Sequence, residues 1–178
     1  MHWTIAVRKY GIAIAGAMML LGTAGALNAQ NLLSNGSFEN GFEGIMSIDV
    51  KWATVEMAKY YAIDKSGPGG KSALVCTAIG GDPARSLRIP AIALDSAKTY
   101  SLTVAMKTEK AEGVNICVVN KGWTWNSPNI KPDATSDWKD YTIEFQPKES
   151  DDGKYQLAIK PQVTGKLSIA NIRLVEKK

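Results

Sequence analysis

Apolar and polar residues alternate with a period of two along much of the chain, which is typical of β-strands that bury one face. Between residues 101 and 107 every second side chain is apolar: Leu102, Val104 and Met106. The same alternation recurs in four later runs, over residues 114–118, 141–145, 155–159 and 167–174. The apolar side changes between Ile169 and Ile172, which predicts a β-bulge near Ala170 and Asn171.

The earlier part of the chain is less regular but adds further strands. Residues 74–79 are apolar and lie between glycine clusters, as a buried strand would, whereas Pro90 places the run 86–92 at a sheet edge or a bend. Residues 51–65 suit a helix or a strand, and their aromatic residues favour strand. About eight to ten short strands without a strand–helix rhythm predict an all-β fold, a β-sandwich of two antiparallel sheets.

The first thirty residues follow a different pattern. Arg8 and Lys9 precede an uncharged run over residues 11–26, and small residues that suit cleavage follow at 24–26 and at Ala29. This order predicts a secretory signal peptide over residues 1–29, because the run has about 16 residues and a membrane span needs about 20. We therefore expect an exported domain over residues 30–178, secreted or periplasmic, that does not insert into a membrane after cleavage.

Removal of residues 1–29 would limit the chemistry that remains. The single histidine, His2, leaves with the signal peptide, so triads with a histidine base and histidine-ligated metal sites are excluded. Arg8 and Lys9 leave as well, which reduces the 21 basic residues to 19 against 17 acidic ones. Because this balance is near neutral and the charges are mixed along the chain, we expect no nucleic-acid partner.

The two cysteines, Cys76 and Cys117, follow no metal-binding spacing. In an exported protein they could form a disulfide, which would close a loop of about 41 residues and stabilise the fold by about 4 kcal/mol. Alternatively, each cysteine is a small buried apolar residue on its own strand. The sequence leaves both alternatives open.

Several segments resemble one group of domains. They are NLLSNGSFE at 31–39, GGKSALV at 69–75, KTYSLTV at 98–104, SDWKDYT at 136–142 and the closing strand 167–174. In this order they resemble the carbohydrate-binding modules of families 4, 9 and 22, which are jelly-roll sandwiches related to galactose-binding-like domains. The resemblance covers nearly all of residues 30–178. It implies a stand-alone monomer that binds a polysaccharide or oligosaccharide without catalysis.

In this group of modules a calcium ion often joins the opening and closing strands. The resemblance puts Glu39 at the position of one carboxylate ligand, while Ala170 stands where an aspartate is common and the neighbouring Asn171 offers a neutral oxygen. Calcium takes about six to eight oxygen ligands and favours carboxylates, so the missing carboxylate weakens the site. The resemblance thus requires no cofactor and allows one metal, a structural calcium ion at Glu39 and Asn171.

The segment NKGWTWN, residues 120–126, is the main candidate for contact with a sugar. Trp123 and Trp125 are two residues apart, so in an extended chain their rings would lie on the same side, about 6–7 Å apart. Such rings can stack on the C–H faces of sugars, while the amides of Asn120 and Asn126 can bind hydroxyl groups. The alternative is that one of the two rings packs into the core.

Trp52 and Tyr60 form a second candidate surface for a sugar, again with core packing as the alternative. Trp138 is assigned to structure, because it opens an alternating strand. Other polar residues that suit a sugar cannot be placed relative to the tryptophans: Glu56, Asp64, Arg85 and Arg88.

Two other functions compete with carbohydrate binding. A protein-binding envelope or adhesion module would use the same sandwich as a scaffold and would show a broad exposed apolar patch. A glycoside hydrolase would need two carboxylates inside an aromatic-lined groove, and a lyase would need a tyrosine or lysine base there. Non-catalytic binding of a polysaccharide or oligosaccharide is the interpretation that the sequence favours.

Overall fold

The computed structural model describes residues 30–47, 58–77, 86–110, 112–148, 150, 152–161 and 165–178. The predicted signal peptide, Trp52 and the first part of the ambiguous segment 51–65 lie outside the described residues. Within the described ranges, no helix is long and apolar enough to cross a membrane.

Nine β-strands make up the described fold. They are β1 (Met46–Ser47), β2 (Tyr61–Asp64), β3 (Ala73–Thr77), β4 (Leu87–Ala93), β5 (Tyr100–Thr108), β6 (Val114–Asn120), β7 (Thr135–Phe145), β8 (Lys154–Pro161) and β9 (Lys166–Glu176). A short 3₁₀ helix at Pro68–Gly70 precedes β3. Residues 58–60 are helical and lead into β2, so the preference for strand over 51–65 is right for β2 and wrong for 58–60.

The strands form two sheets in which every pairing is antiparallel. The four-stranded sheet has the order β1-β4-β8-β6, and the five-stranded sheet has the order β2-β3-β9-β5-β7. Neighbours in each sheet are mostly distant in the chain, as in a jelly roll. The prediction of an all-β jelly-roll sandwich is confirmed.

One apolar core lies between the two sheets, on the faces that the alternation predicts. On β5 the core residues are Leu102, Val104 and Met106, all without solvent exposure. The facing strands of the four-stranded sheet contribute Leu87, Ile89, Ile116, Val118, Leu157 and Ile159. The residues between these positions must therefore point away from the core.

The pairing of the described strands is irregular at three places, one of them between β5 and β7 at Met106 and Thr108. The register between β5 and β9 shifts opposite Ala170 and Arg173, where Asn171 has a φ of 48°, so the predicted bulge is confirmed. On β4 the register with β8 shifts just after Ile89, where Ala91 has a φ of 62° beside Pro90. The proline thus marks a bend, one of the two outcomes that its position predicts.

Both cysteines are free and buried. Cys76 belongs to the core between the sheets, whereas Cys117 lies on the opposite side of β6, in a small cluster with Val119 and Ala158. Burial raises the pKa of both thiols above the usual range. The second of the two alternatives, two separate buried cysteines, is the one that the structure shows.

The segment before β1 is attached to β9 by Asn31 and by backbone hydrogen bonds. The Asn31 Nδ2 donates to the Ile172 carbonyl at 2.9 Å, and its Oδ1 accepts from the Leu174 N–H at 2.9 Å. The Ile172 N–H donates to the Gly36 carbonyl at 2.8 Å. A Cβ at Gly36 would lie 2.1 Å from the Ile172 oxygen, so only glycine allows this close approach.

We expect Gly36→Ala to destabilise the fold, because a methyl group would push the opening segment away from β9. A change of about 1–3 kcal/mol is typical of such overpacking, and in a domain of about 150 residues each kcal/mol lowers the Tm by about 2–4 °C. Thermal unfolding followed by circular dichroism measures this change. Gly122→Ala is the matched control, since its Cβ would meet its nearest atom at 3.8 Å. Equal Tm values for the two variants would contradict the close approach of Gly36 to the Ile172 carbonyl.

Candidate functional site

The side of the four-stranded sheet that points away from the core carries a mixed set of side chains. We call this surface the outer face; it consists of Arg88 on β4, Cys117 and Val119 on β6, and Gln156, Ala158 and Lys160 on β8. Its middle is apolar and buried: Cys117, Val119 and Ala158 pack together and are at most 1% exposed, so other side chains cover them. Its polar members surround that patch. Because side chains alternate along β8, Leu157 and Ile159 point into the core while Gln156 and Lys160 point to the outer face.

The turn after β6 is organised by Asn120. Its Nδ2 donates to Thr124 Oγ1 at 2.7 Å, and its Oδ1 accepts from the Trp125 N–H at 3.1 Å. The Trp123 N–H donates to the Asn120 carbonyl at 3.0 Å, which closes the turn. Both polar groups of this buried side chain are thus used within the turn. Asn120 holds the loop in place, and its contact with a ligand hydroxyl stays a prediction.

After the turn the chain returns along the free edge of β6. The Ser127 N–H donates to the Val118 carbonyl at 2.8 Å, and Ile130 exchanges hydrogen bonds with Ile116. The Ser127 hydroxyl in addition accepts from the Val118 N–H at 3.0 Å. Asn126 is exposed, and its Nδ2 donates to the Ser127 carbonyl at 2.7 Å. This returning segment covers the sheet edge and supports the turn that carries the tryptophans.

Trp123 projects from this turn with 40% of its surface exposed. Its φ of 59° is in the left-handed region, which is unusual for a residue other than glycine. The Lys160 ammonium lies 5.0 Å from the centre of its ring, a cation–π distance. Because Lys160 belongs to the outer face, the contact brings the Trp123 ring to that face. A large exposed ring beside a cation is the most distinctive feature of the surface.

Trp125 lies in a different environment. Its half-buried ring packs against the core, 6.0 Å from the Phe145 ring and 5.9 Å, edge to face, from the Tyr155 ring. The extended geometry expected for residues 123–125 is wrong, because the turn at Asn120 rotates the two tryptophans into different surroundings. Of the two rings, Trp123 is the one exposed to solvent.

A depression of about 250 Å³ lies at one end of the outer face. It is lined by Arg88, Pro90, Ala91, Lys121, Lys154, Tyr155 and Gln156. Arg88 Nη1 donates to Gln156 Oε1 at 3.3 Å, and Lys121 pairs with Asp152 at 3.2 Å. The polar groups of the depression are thus one amide, one guanidinium and two ammonium groups, with Asp152 beside them.

The other predicted contacts are dispersed. Tyr60 ends the helical stretch 58–60 before β2 and packs partly against the core, with the Lys59 ammonium 5.2 Å from its ring. Its predicted partner Trp52 lies outside the described residues. Trp138 is half-buried on the opposite sheet, against Ala73, Ala105 and Ala170, which supports its structural assignment.

The sequence interpretation did not select Gln156, Lys154 or Lys160. The sequence pattern could have indicated them, because they alternate with the core residues Tyr155, Leu157 and Ile159 on β8 and so point away from the core. The sequence indicates Arg88 as a polar candidate but does not place it. In the structure it lies opposite Ala158 in the β4–β8 pairing, on the outer face. These four residues share a face because β8 is the central partner of both β4 and β6.

The surroundings of Glu39 do not fit the calcium ion that the resemblance allows. One carboxylate oxygen accepts from the Lys65 ammonium at 2.6 Å, and the other accepts from the Ser72 N–H at 3.0 Å. Lys65 also donates to the Ser72 hydroxyl at 3.0 Å. In the described parts of the chain, no three histidine, cysteine or acidic residues gather as metal ligands. An ammonium group therefore fills the place beside Glu39 that a metal ion would need.

The comparison with known proteins establishes the fold. No protein-family model matches the sequence, and no curated protein matches it. Solved structures do match: a carbohydrate-binding module of family 4 has a TM-score of 0.56 and 14% identity, and the match covers 82% of this chain and 99% of that one. The fold is that of the carbohydrate-binding modules.

Two further modules support this assignment. The family 22 xylan-binding domain of Paenibacillus barcinonensis Xyn10C has a TM-score of 0.57 and 10% identity, over 84% of this chain and 96% of that domain. A family 61 module solved with β-1,4-galactotriose has a TM-score of 0.57 and 18% identity, over 84% of this chain and the whole of that one. At these identities the similarity shows the fold, and the function must be argued from the site.

Glu39→Gln is expected to lower the Tm in a pH-dependent way. The hydrogen bond from Lys65 is the main reason that the pKa of Glu39 falls from 4.5 to about 2, with a further contribution from the Ser72 N–H. Because the pKa is lower in the folded state, the stabilisation is complete above about pH 4.5 and is lost as the pH falls towards 2. Tm values of the two proteins should therefore differ at pH 6 and converge at low pH. Glu176→Gln, at the exposed pair with Lys98, is the control.

The same proteins test the fit of calcium. We expect no change in Tm when EDTA or calcium is added, because the Lys65 ammonium already neutralises the Glu39 carboxylate. A rise in Tm with calcium that Glu39→Gln abolishes would show that a metal ion displaces Lys65.

Trp125→Ala should destabilise the protein by roughly 2–4 kcal/mol, somewhat less than the loss of a fully buried ring. The reason is the loss of its packing on Phe145 and Tyr155. Trp123→Ala should cost less, about 1 kcal/mol, because the Trp123 ring is more exposed and its main described contact is with Lys160. Urea unfolding of both variants measures the difference. A larger loss for Trp123→Ala would contradict the assignment of the two rings.

Proposed function

We propose that the protein binds a polysaccharide or oligosaccharide non-covalently on the outer face, with Trp123 as the ring on which a sugar stacks. The observation that carries this proposal is the exposed Trp123 ring at the same face as a depression lined by Gln156 and Arg88. Sugars offer weakly apolar C–H faces and a rim of hydroxyl groups, so they need an aromatic surface together with hydrogen-bonding groups. The outer face supplies both.

The expected affinity follows from the size of these contacts. A tryptophan buries roughly 150–250 Å² when fully covered, and partial coverage by a sugar is worth on the order of 1–3 kcal/mol at about 25 cal/mol per Å². Hydrogen bonds to hydroxyl groups add about 0.5–1.5 kcal/mol each. With about three such hydrogen bonds the total is about 2.5–7.5 kcal/mol, which corresponds to a Kd between about 3 µM and 15 mM.

The competing functions find less support. Among the described residues, the exposed large apolar side chains are Leu32 and Trp123, which do not amount to the broad patch of a protein-binding module. Asp152 is the described carboxylate beside the depression and is paired with Lys121, whereas glycoside hydrolysis uses two carboxylates. Reversible binding is the function that this arrangement supports best.

Export belongs to the same proposal. It is supported by the order of Arg8 and Lys9, the uncharged run 11–26 and the small residues after it. A protein exported by this route would meet polysaccharides outside the cytoplasm, and we propose that it acts there as a monomer.

Electrophoresis in native gels that contain soluble β-glucan, xylan, mannan, galactan or pectin tests the binding. We expect at least one polymer to retard the protein, and Trp123→Ala to weaken that binding about ten- to hundredfold, which is the loss of the stacking energy. Trp138→Ala, on the opposite sheet, is the control and should keep its affinity if its far-UV spectrum shows a folded protein. Retardation that survives in Trp123→Ala would move the site elsewhere, and no retardation by any polymer would contradict the proposal.

A further inference from the structure

Among the described residues, the outer face and its depression hold more cations than carboxylates. Four cations belong to it or to its depression: Arg88, Lys121, Lys154 and Lys160. In the described parts of the chain, the carboxylate that meets this group is Asp152, which pairs with Lys121. Elsewhere the described lysines in ion pairs have glutamate partners: Lys65 with Glu39, Lys98 with Glu176 and Lys177 with Glu144. Other described lysines, such as Lys71, Lys107 and Lys139, are also outside these ion pairs, so Arg88 rather than the number of lysines distinguishes this face.

Arg88 is the most unusual of these cations. Its guanidinium has one described hydrogen bond, from Nη1 to the neutral Gln156 Oε1 at 3.3 Å, and its buried Nε has none. A guanidinium in such surroundings has lost part of its hydration without gaining a counter-ion, which is unfavourable unless an anion joins it. Its planar set of N–H donors matches a carboxylate or a sulfate better than a hydroxyl group.

Lys121 and Lys154 flank the same depression, and Lys160 lies further along β8 against Trp123. Lys154 and Lys160 are six residues apart on one strand, which corresponds to about 20 Å. Cations therefore follow the whole length of the face, so a chain with regularly spaced anionic groups would meet several of them. A neutral polymer would use the ring and the amide but would leave these charges without partners.

We propose that the outer face recognises an anionic polysaccharide, in which Arg88 binds a carboxylate or sulfate group while a neighbouring sugar ring stacks on Trp123. This inference rests on the proposed function and adds the class of the ligand. Arg88 sets the specificity, since its guanidinium offers planar N–H donors and its buried Nε has no described hydrogen-bond partner. Lys121, Lys154 and Lys160 attract the chain through longer-range interactions that salt weakens.

Matched pairs of polymers test the charge alone. De-esterified pectin is compared with highly methyl-esterified pectin for carboxylates, and dextran sulfate with dextran for sulfates. We expect the wild-type protein to bind at least one charged polymer about tenfold or more tightly than its neutral partner. That preference should shrink between 50 mM and 500 mM sodium chloride, because the Debye length falls.

Variants then assign the preference to the face. Arg88→Gln and Lys154→Gln should each reduce the affinity for the charged polymer about three- to tenfold, and by a larger factor than they reduce any affinity for its neutral partner. Arg88→Lys keeps the charge without the planar donors and should give an intermediate value, which also serves if Arg88→Gln is unstable. Lys107→Gln is the matched control, because its ammonium lies 5.1 Å from the Trp138 ring on the opposite sheet and should not matter.

The outcomes separate the two proposals. Equal binding of both members of each pair, weakened by Trp123→Ala, would overturn the anionic preference and leave the proposed function in place. Charged polymers bound with equal loss in Arg88→Gln and Lys107→Gln would indicate attraction to the whole surface and would overturn the assignment. Absence of binding to every polymer would overturn both proposals.

Discussion

The alternation of side chains on β6 and β8 is the constraint on which the structure depends. These two paired strands present large apolar residues such as Leu157 to the core and small residues such as Cys117 and Ala158 to the other side. Since a shift of one residue would exchange the two sets, burial of the core fixes the register. The same register that closes the sandwich therefore also brings Gln156 and Lys160 onto one outer face.

The alternation explains why the fold could be predicted from the sequence. Burial of one face leaves a period-two pattern in each strand, and the change of side at Ala170 and Asn171 marks a bulge that the structure contains. The pattern is local, so it needs no knowledge of which strands pair. Which residues of different strands share a face depends on pairing between distant segments, and Arg88 could not be placed beside Gln156 without it.

The tryptophans show the limit of the same reasoning. Two residues of spacing place side chains on one side only in an extended chain, and the turn at Asn120 replaces that geometry with a φ of 59° at Trp123. The asparagine was interpreted as a ligand for hydroxyl groups because amides suit that role. In the structure the same amide instead forms two hydrogen bonds within the turn, with Thr124 and Trp125. Polar residues beside aromatic residues therefore need their backbone context before a role is assigned.

The opening segment shows that a resemblance can locate a functional carboxylate, Glu39, without identifying the cation that contacts it. Glu39 was assigned from modules in which a metal ion joins the first and last strands. Here the last strand is held by the Asn31 amide, and Glu39 is held by Lys65 and Ser72. Lys65, which directly follows β2, supplies the positive charge beside Glu39. The negative charge at Glu39 is thus the element that both arrangements need, while the cation beside it can differ.

Among the described residues, two pairs of a tryptophan and a lysine lie on opposite sheets, and Trp123 is the more exposed of the two tryptophans. Trp138 with Lys107 and Trp123 with Lys160 have nearly equal cation–π distances, and both sheets have small residues on their outer sides. Trp138 belongs to β7, at an irregularity in its pairing with β5, and its ring lies against the alanines. Trp123 belongs to a turn, so its ring can project from the sheet without breaking a strand pairing. The outer sides of the two sheets are thus similar in composition. The turn after β6 is the element that adds an exposed ring to one of them.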